Sequence, residues 1–192
     1  ATGQVAAFDF EWAHTEDKLL RALNADLPSD LVIRSLITAP ADFHPRFDAA
    51  SREYRYRLFC GTIRDPLRER FLWRVWPALD EDALNRAANI FLGTHDFVTM
   101  GSPTTPNGTT VRTVTKAEWK KMPDGEWQFE VRADAFLYRM VRRLVFVQAS
   151  AAQGKCSLEK VRSALNEQGK LPSGLAPAHG LTLVEVTYGS HD

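Results

Sequence analysis

The chain has 192 residues, 24 basic against 24 acidic side chains, no net charge at neutral pH and a hydrophobic fraction of 44%. Such a chain makes one ordinary domain or two small ones with a substantial core, and it holds no apolar run long enough to span a bilayer. Cys60 and Cys156 lie far apart with no CxxC spacing, and Ala1 to Phe10 lacks the basic and apolar blocks of a signal peptide, so the cytoplasm is the expected compartment.

In chain order, Gln4 to Phe10 alternates loosely and reads as a strand. Thr15, followed by Glu16 and Asp17, opens a short helix carrying Leu19, Leu20 and Leu23. Leu31 to Thr38 is rich in β-formers and ends at Pro40. A strand then runs through Ser51-Arg52-Glu53-Tyr54-Arg55-Tyr56-Arg57, with Arg52, Tyr54 and Tyr56 on one face and Arg55 and Arg57 on the other. Gly61 to Arg70 is a polar connection. Asp80 caps a helix bearing Leu84, Ala87, Ala88 and Phe91, closed by Gly93.

Thr99 to Thr110, with Gly101, Pro103, Pro106 and Gly108, reads as a mobile loop. Val111 to Lys121 and Glu126 to Arg132 flank the hairpin signal Pro123-Asp124-Gly125. A long helix is predicted from about Ala135 to Gln153, with Phe136, Met140, Leu144 and Val147 as its core stripe and Arg139, Arg142 and Arg143 beside it. Those arginines make either a solvated face or a device that delivers one guanidinium into a cleft. Ser157 caps a further helix, Gly169 to Gly180 is a loop, and Leu181 to Tyr188 is the closing strand. The element order is α+β.

Charge is unevenly spread. Residues 1–42 are mainly acidic, whereas residues 43–74 carry Arg46, Arg52, Arg55, Arg57, Arg64, Arg68, Arg70 and Arg74 and no lysine. Arginine is favoured where planar phosphate or carboxylate groups are gripped. The Arg/Tyr strand therefore has two readings: a packed aromatic face backed by a solvated basic one, or a nucleotide-binding surface on which tyrosine stacks and arginine holds phosphate. His14, His44, His95, His179 and His191 show no metal-ligand spacing, and the glycines form neither a dinucleotide-binding nor a P-loop pattern.

Seven segments, in order along nearly the whole chain, resemble the tRNA pseudouridine synthase A family. They are Thr2-Gly3-Gln4-Val5 with Phe8, Asn24 to Pro28, Phe43-His44-Pro45-Arg46-Phe47 leading to Arg52 to Tyr56, Gly93 to Phe97, Val111-Arg112-Thr113, Ala135-Phe136-Leu137 with Met140-Val141-Arg142, and Ala176-Pro177-Ala178 with Gly180-Leu181. The resemblance implies an isomerase that converts uridine to pseudouridine in the anticodon arm of tRNA, without metal or organic cofactor. An aspartate attacks the target nucleotide, the N-glycosidic bond breaks, and the uracil turns and rejoins the ribose through carbon. The implied fold is α+β, a mostly antiparallel sheet with helices packed on one face, and the full-length enzymes usually form homodimers.

By motif match, Tyr54 takes the place of the tyrosine that stacks on the target uracil and Arg142 that of the arginine paired with the catalytic carboxylate. His44 and Arg46 match positions near bound RNA, and Arg52 and Arg55 are further candidates for its phosphates. Asp96 is expected to brace the loop after it. The family's aspartate sits in a segment like Gly-Arg-Thr-Asp, and no Arg-Thr-Asp occurs in this chain. Residues 1–192 are therefore expected to be one domain, the C-terminal half of a pseudouridine synthase fold, inactive alone. A non-catalytic RNA-binding module and a structural domain that binds only its twin are the rival readings.

Overall fold

The computed structural model describes residues 1–166 and 169–189; His191 lies outside them. Two compact units emerge, one formed by Val5–Asp48 and the other by Ala1–Gln4 together with the chain from Ala49 onward.

The smaller unit is built on α1 (Glu16–Asp26), with Thr15 before it and Glu16 and Asp17 in its first turn. Side chains of this helix tie down the segment that follows. The Asn24 amide bonds both the carbonyl and the N–H of Ile33, at 2.9 and 2.8 Å, and Glu16 Oε1 accepts from the N–H and hydroxyl of Thr38. Gln4 to Phe10 and Leu31 to Thr38, both expected as strands, belong to no ladder. Their Val5, Phe8, Phe10, Leu31, Val32 and Ile37 are exposed. β-Propensity describes fit to a neighbouring strand, and neither segment has one.

The larger unit is a six-stranded sheet: β1 (Ala49–Cys60), β2 (Trp73–Val75), β3 (Gly93–Asp96), β4 (Val111–Lys121), β5 (Glu126–Ala133) and β6 (Leu181–Tyr188). The order is β2-β1-β5-β4-β3, and β6 pairs with β1 as well. The ladders are antiparallel except the short β1–β2 pairing. Three helices complete the unit: α2 (Glu81–Ile90), α3 (Met140–Ala152) and α4 (Leu158–Asn166). Asp80 caps α2 by accepting the Ala83 N–H at 2.6 Å, and the Ser157 hydroxyl accepts the Lys160 N–H at the start of α4.

One face of the sheet packs on the helices. Tyr56 and Leu58 of β1 and Phe129 and Val131 of β5 are buried against Met140, Leu144 and Val147 of α3 and Leu84, Ala87 and Phe91 of α2. Trp119 and Trp127 belong to this core, Trp73 is half-buried against it, and Trp76 is exposed. The Trp119 indole donates to Gln148 Oε1 at 2.7 Å, which satisfies both polar groups in an apolar interior.

The long helix starts later than its hydrophobic spacing indicates. Arg139 stands in the left-handed region at φ 65°, and Tyr138 bridges to Ser102, so residues 135–139 form a bent approach and α3 begins at Met140. Phe136 thus lies outside the helical stripe. Short β2 and β3 had no pattern of their own in the sequence.

The opposite face of the sheet is an ion-pair network. Arg57 grips Glu126 with two bonds of 2.6 Å, and Arg55 bonds Glu130 at 2.7 Å. Lys116 reaches both Glu53 and Glu130, and Arg132 joins Glu53 to Glu185. Two directly opposed pairs, Glu118 with Glu130 and Glu53 with Glu185, would repel without these cations between them. Glu53, Glu126 and Glu130 are buried beneath their partners. Burial alone would raise the carboxyl pKa of Glu130, but hydrogen bonds from Lys116, Lys120 and Arg55 outweigh it and hold the group at about 2.

Because the folded-state value lies below the ordinary 4.5, the stability that Glu130 supplies is complete above that pH and drains away as pH falls toward 2. Glu130→Gln should be less stable than wild type at pH 7, by no more than about 3 kcal/mol, with the gap closing across that window. Urea unfolding at a series of pH values measures it; a gap independent of pH would refute the assignment.

Candidate active site

Strand alternation on β1 places Tyr54 beside the core rather than in it. Its ring is half-buried and meets the edge of Phe136 at 5.1 Å and 86°. Burial pushes the Tyr54 phenol above its ordinary pKa, and the nearby Arg52 charge offsets only part of this. Tyr56, two residues along the same face, is raised more strongly by burial, with the Arg142 charge opposing. Both rings are neutral at physiological pH. Neutral, flat and held from one edge, Tyr54 suits the face of an uncharged base.

Arg142 reaches the same neighbourhood from α3. Its Nε donates to the Ala176 carbonyl at 2.6 Å, and the Ala176 N–H returns a bond to the Arg142 carbonyl at 3.2 Å. Arg143 fixes the same loop through the Pro172 and Gly174 carbonyls, at 2.5 and 2.9 Å, and the Tyr56 hydroxyl donates to the Pro177 carbonyl at 2.8 Å. Three side chains thus staple residues 172–177 over the junction of β1 and α3. Of the two readings open for these arginines, Arg142 and Arg143 follow neither fully: both spend donors on backbone carbonyls. Half-buried Arg142 makes no ion pair with any described carboxylate, so its terminal amino groups remain available to one.

The remaining predicted residues fall in three places. Arg52 shares the Tyr54 face as expected and bonds the carbonyls of Ala49 and Asp134 at 3.2 and 2.8 Å. Arg55 lies on the opposite, ion-paired face and is bonded to Glu130, so any phosphate it meets must compete with that carboxylate. His44 and Arg46 belong to the smaller unit. His44 Nδ1 accepts from the N–H groups of Arg46 and Phe47, at 3.1 and 3.2 Å, which leaves the proton of a neutral ring on Nε2. The His44 ring stacks on exposed Phe47 at 4.2 Å, and the Arg46 guanidinium stands 5.7 Å from the same ring.

Asp96 braces the following loop, accepting from the Val98 N–H at 3.0 Å and the Thr110 hydroxyl at 2.5 Å. Sequence reasoning gave Phe136 to the helix core and so missed its contact with Tyr54. It also gave no role to the carbonyls of Ala176 and Pro177, whose only trace in the sequence is the Ala-Pro-Ala motif.

Comparison with known proteins bears on this site. A family model described as tRNA pseudouridine synthase matches residues 87–189. Three curated relatives are called tRNA pseudouridine synthase A. That of Geobacillus kaustophilus is 38% identical over 98% of this chain and 73% of its own length. Those of Shouchella clausii and Chloroflexus aurantiacus are 36% identical over 98% of this chain, with 72% and 69% of their own lengths covered.

The loop stapling generates a prediction at Gly180. A Cβ there would sit 2.7 Å from Tyr56 Cζ and 2.8 Å from the Arg57 carbonyl oxygen. Gly180→Ala should therefore displace the loop and cost about 1–3 kcal/mol of stability, read as a lowered unfolding midpoint in urea. An unchanged midpoint would show that the loop yields without loss.

Proposed function

The chain belongs to the tRNA pseudouridine synthase A family, and on that premise we propose that it supplies the uracil-stacking and carboxylate-pairing side of a site that isomerises uridine in the anticodon arm of tRNA. The observation that carries this reading is Arg142: a half-buried guanidinium anchored through Nε, with no carboxylate partner among the described residues, next to a neutral tyrosine ring. An attacking aspartate placed against the terminal amino groups would be kept ionised and oriented by them.

Each residue has a distinct task in this reading. Tyr54 holds the base by its face, which permits the in-plane turn that exchanges nitrogen for carbon while preventing escape. Phe136 props the ring from its edge, and the Ala176 and Pro177 carbonyls fix Arg142 and Tyr56. Arg52, Arg55, His44 and Arg46 are assigned to RNA phosphates, with Arg55 already paired to Glu130. A cytoplasmic homodimer, with residues 1–192 acting as one substrate-binding domain, completes the reading; the exposed row of Phe8, Phe10 and Trp12 supports an additional protein contact.

Two outcomes are expected. A polypeptide of these 192 residues forms no pseudouridine on an unmodified tRNA transcript, because it contains no Arg-Thr-Asp and Arg142 pairs with no carboxylate among the described residues. Turnover would mean that the nucleophile is one of the aspartates present. In an active full-length enzyme, Tyr54→Ala should cost about 1–3 kcal/mol of transition-state binding through lost stacking, seen as lower kcat/KM with little change in Tm. Wild-type turnover would remove Tyr54 from the site.

A further inference from the structure

Beyond the Tyr54 and Arg142 neighbourhood, the larger unit has a second concave feature. A cleft of about 370 Å³ is lined by Arg64, Glu69, Arg70, Trp73, Arg74 and His179. Its charges do not cancel: three guanidinium groups surround a single carboxylate. Glu69 organises two of the cations. One of its oxygens accepts Arg64 Nε at 3.0 Å, and the other accepts Arg74 Nε at 3.0 Å and the Asp65 N–H at 3.1 Å. Arg74 is held further by the Gly61 carbonyl at 3.2 Å. Two forks are thus fixed by their inner edges on one acid.

Arg70 differs from them. It is exposed, makes no ion pair with any described residue, and rests 5.8 Å from the Phe71 ring. Trp73 supplies an apolar wall, half-buried and set edge-on to Tyr56 at 6.3 Å and 86°. Ordered arginine forks, one uncommitted guanidinium and a flat aromatic wall together match a nucleotide carrying a phosphodiester.

The cleft also has a covalent connection to the candidate active site. The loop that accepts Arg142 at Ala176 and Tyr56 at Pro177 runs on to His179 in the cleft wall. Two residues separate Ala176 from His179, a span of at most about 11 Å.

We propose that this cleft is a backbone-phosphate subsite for the RNA substrate, with Arg70 as its principal free donor. The proposal rests on the tRNA reading above and adds to it a contact away from the reacting nucleotide. Arg70 lies on the surface, so its replacement leaves the fold intact, which an unchanged melting temperature verifies.

The test is binding of an unmodified tRNA transcript, followed by fluorescence anisotropy across a KCl series, for wild type, Arg70→Ala and Arg70→Lys. Loss of one phosphate contact makes the slope of log K against log salt shallower by about one. Arg70→Ala should show that change together with several-fold weaker binding at low salt, and Arg70→Lys should keep the wild-type slope. If wild type binds the transcript and Arg70→Ala matches it in slope and affinity, the subsite is overturned while the tRNA reading stands. If wild type does not bind the transcript, both are overturned.

Discussion

Everything in the larger unit depends on how the outward face of β1 is neutralised. Glu53, Arg55 and Arg57 alternate with Tyr54, Tyr56 and Leu58, so the strand carries charge on one side and core on the other. Five cations gather on the charged face, and the buried carboxylates of Glu53, Glu126 and Glu130, with half-buried Glu118 and exposed Glu185, hold them together. A slip of one residue in the β1–β5 register would turn arginines into the helical layer and tyrosines into the ion pairs. The electrostatic face thereby fixes where Tyr54 points. Replacing Glu126 removes the carboxylate that grips Arg57, which costs more than the pair contributes in isolation.

The candidate site is assembled by the same economy of contacts. Tyr56 is both a core side chain and the hydroxyl that holds Pro177, and Arg142 is both a helix residue and the anchor of Ala176. The loop is fastened through Arg142 Nε and the Tyr56 hydroxyl, so the Tyr54 ring and the terminal amino groups of Arg142 take no part in holding it. The result is a surface organised before any ligand arrives.

Elements with strong periodicity or defined caps were legible in the sequence. The β4–β5 hairpin, the Asp80 and Ser157 caps and the closing strand all stand where pattern puts them. The failures have physical causes. Gln4 to Phe10 and Leu31 to Thr38 have strand-like composition, but a strand exists only through its partner. α3 starts at Met140 because Arg139 adopts a left-handed backbone that no hydrophobic spacing encodes. At the site, Tyr54 and Arg142 came from motif resemblance, whereas the commitment of Arg55 to Glu130 required the strand pairing. Alternation of Glu126, Gln128, Glu130 and Arg132 carried a trace of it, readable only once β5 is laid against β1.

The position of β6 bears on when this architecture becomes possible. Its Leu183 pairs with Tyr54 and accepts the Thr2 N–H at 2.9 Å, and Gly3 approaches Val184 too closely to admit a Cβ. β6 thus joins Thr2 and Gly3 to the strand that carries Tyr54. Contacts of such long sequence separation form late and slow folding. During synthesis, the edge of β1 that pairs with β6 waits until β6 has left the ribosome, and the loop that anchors Arg142 arrives only just ahead of it. Until then β1 keeps an open edge, and the bond that ties Arg142 to Ala176 is missing.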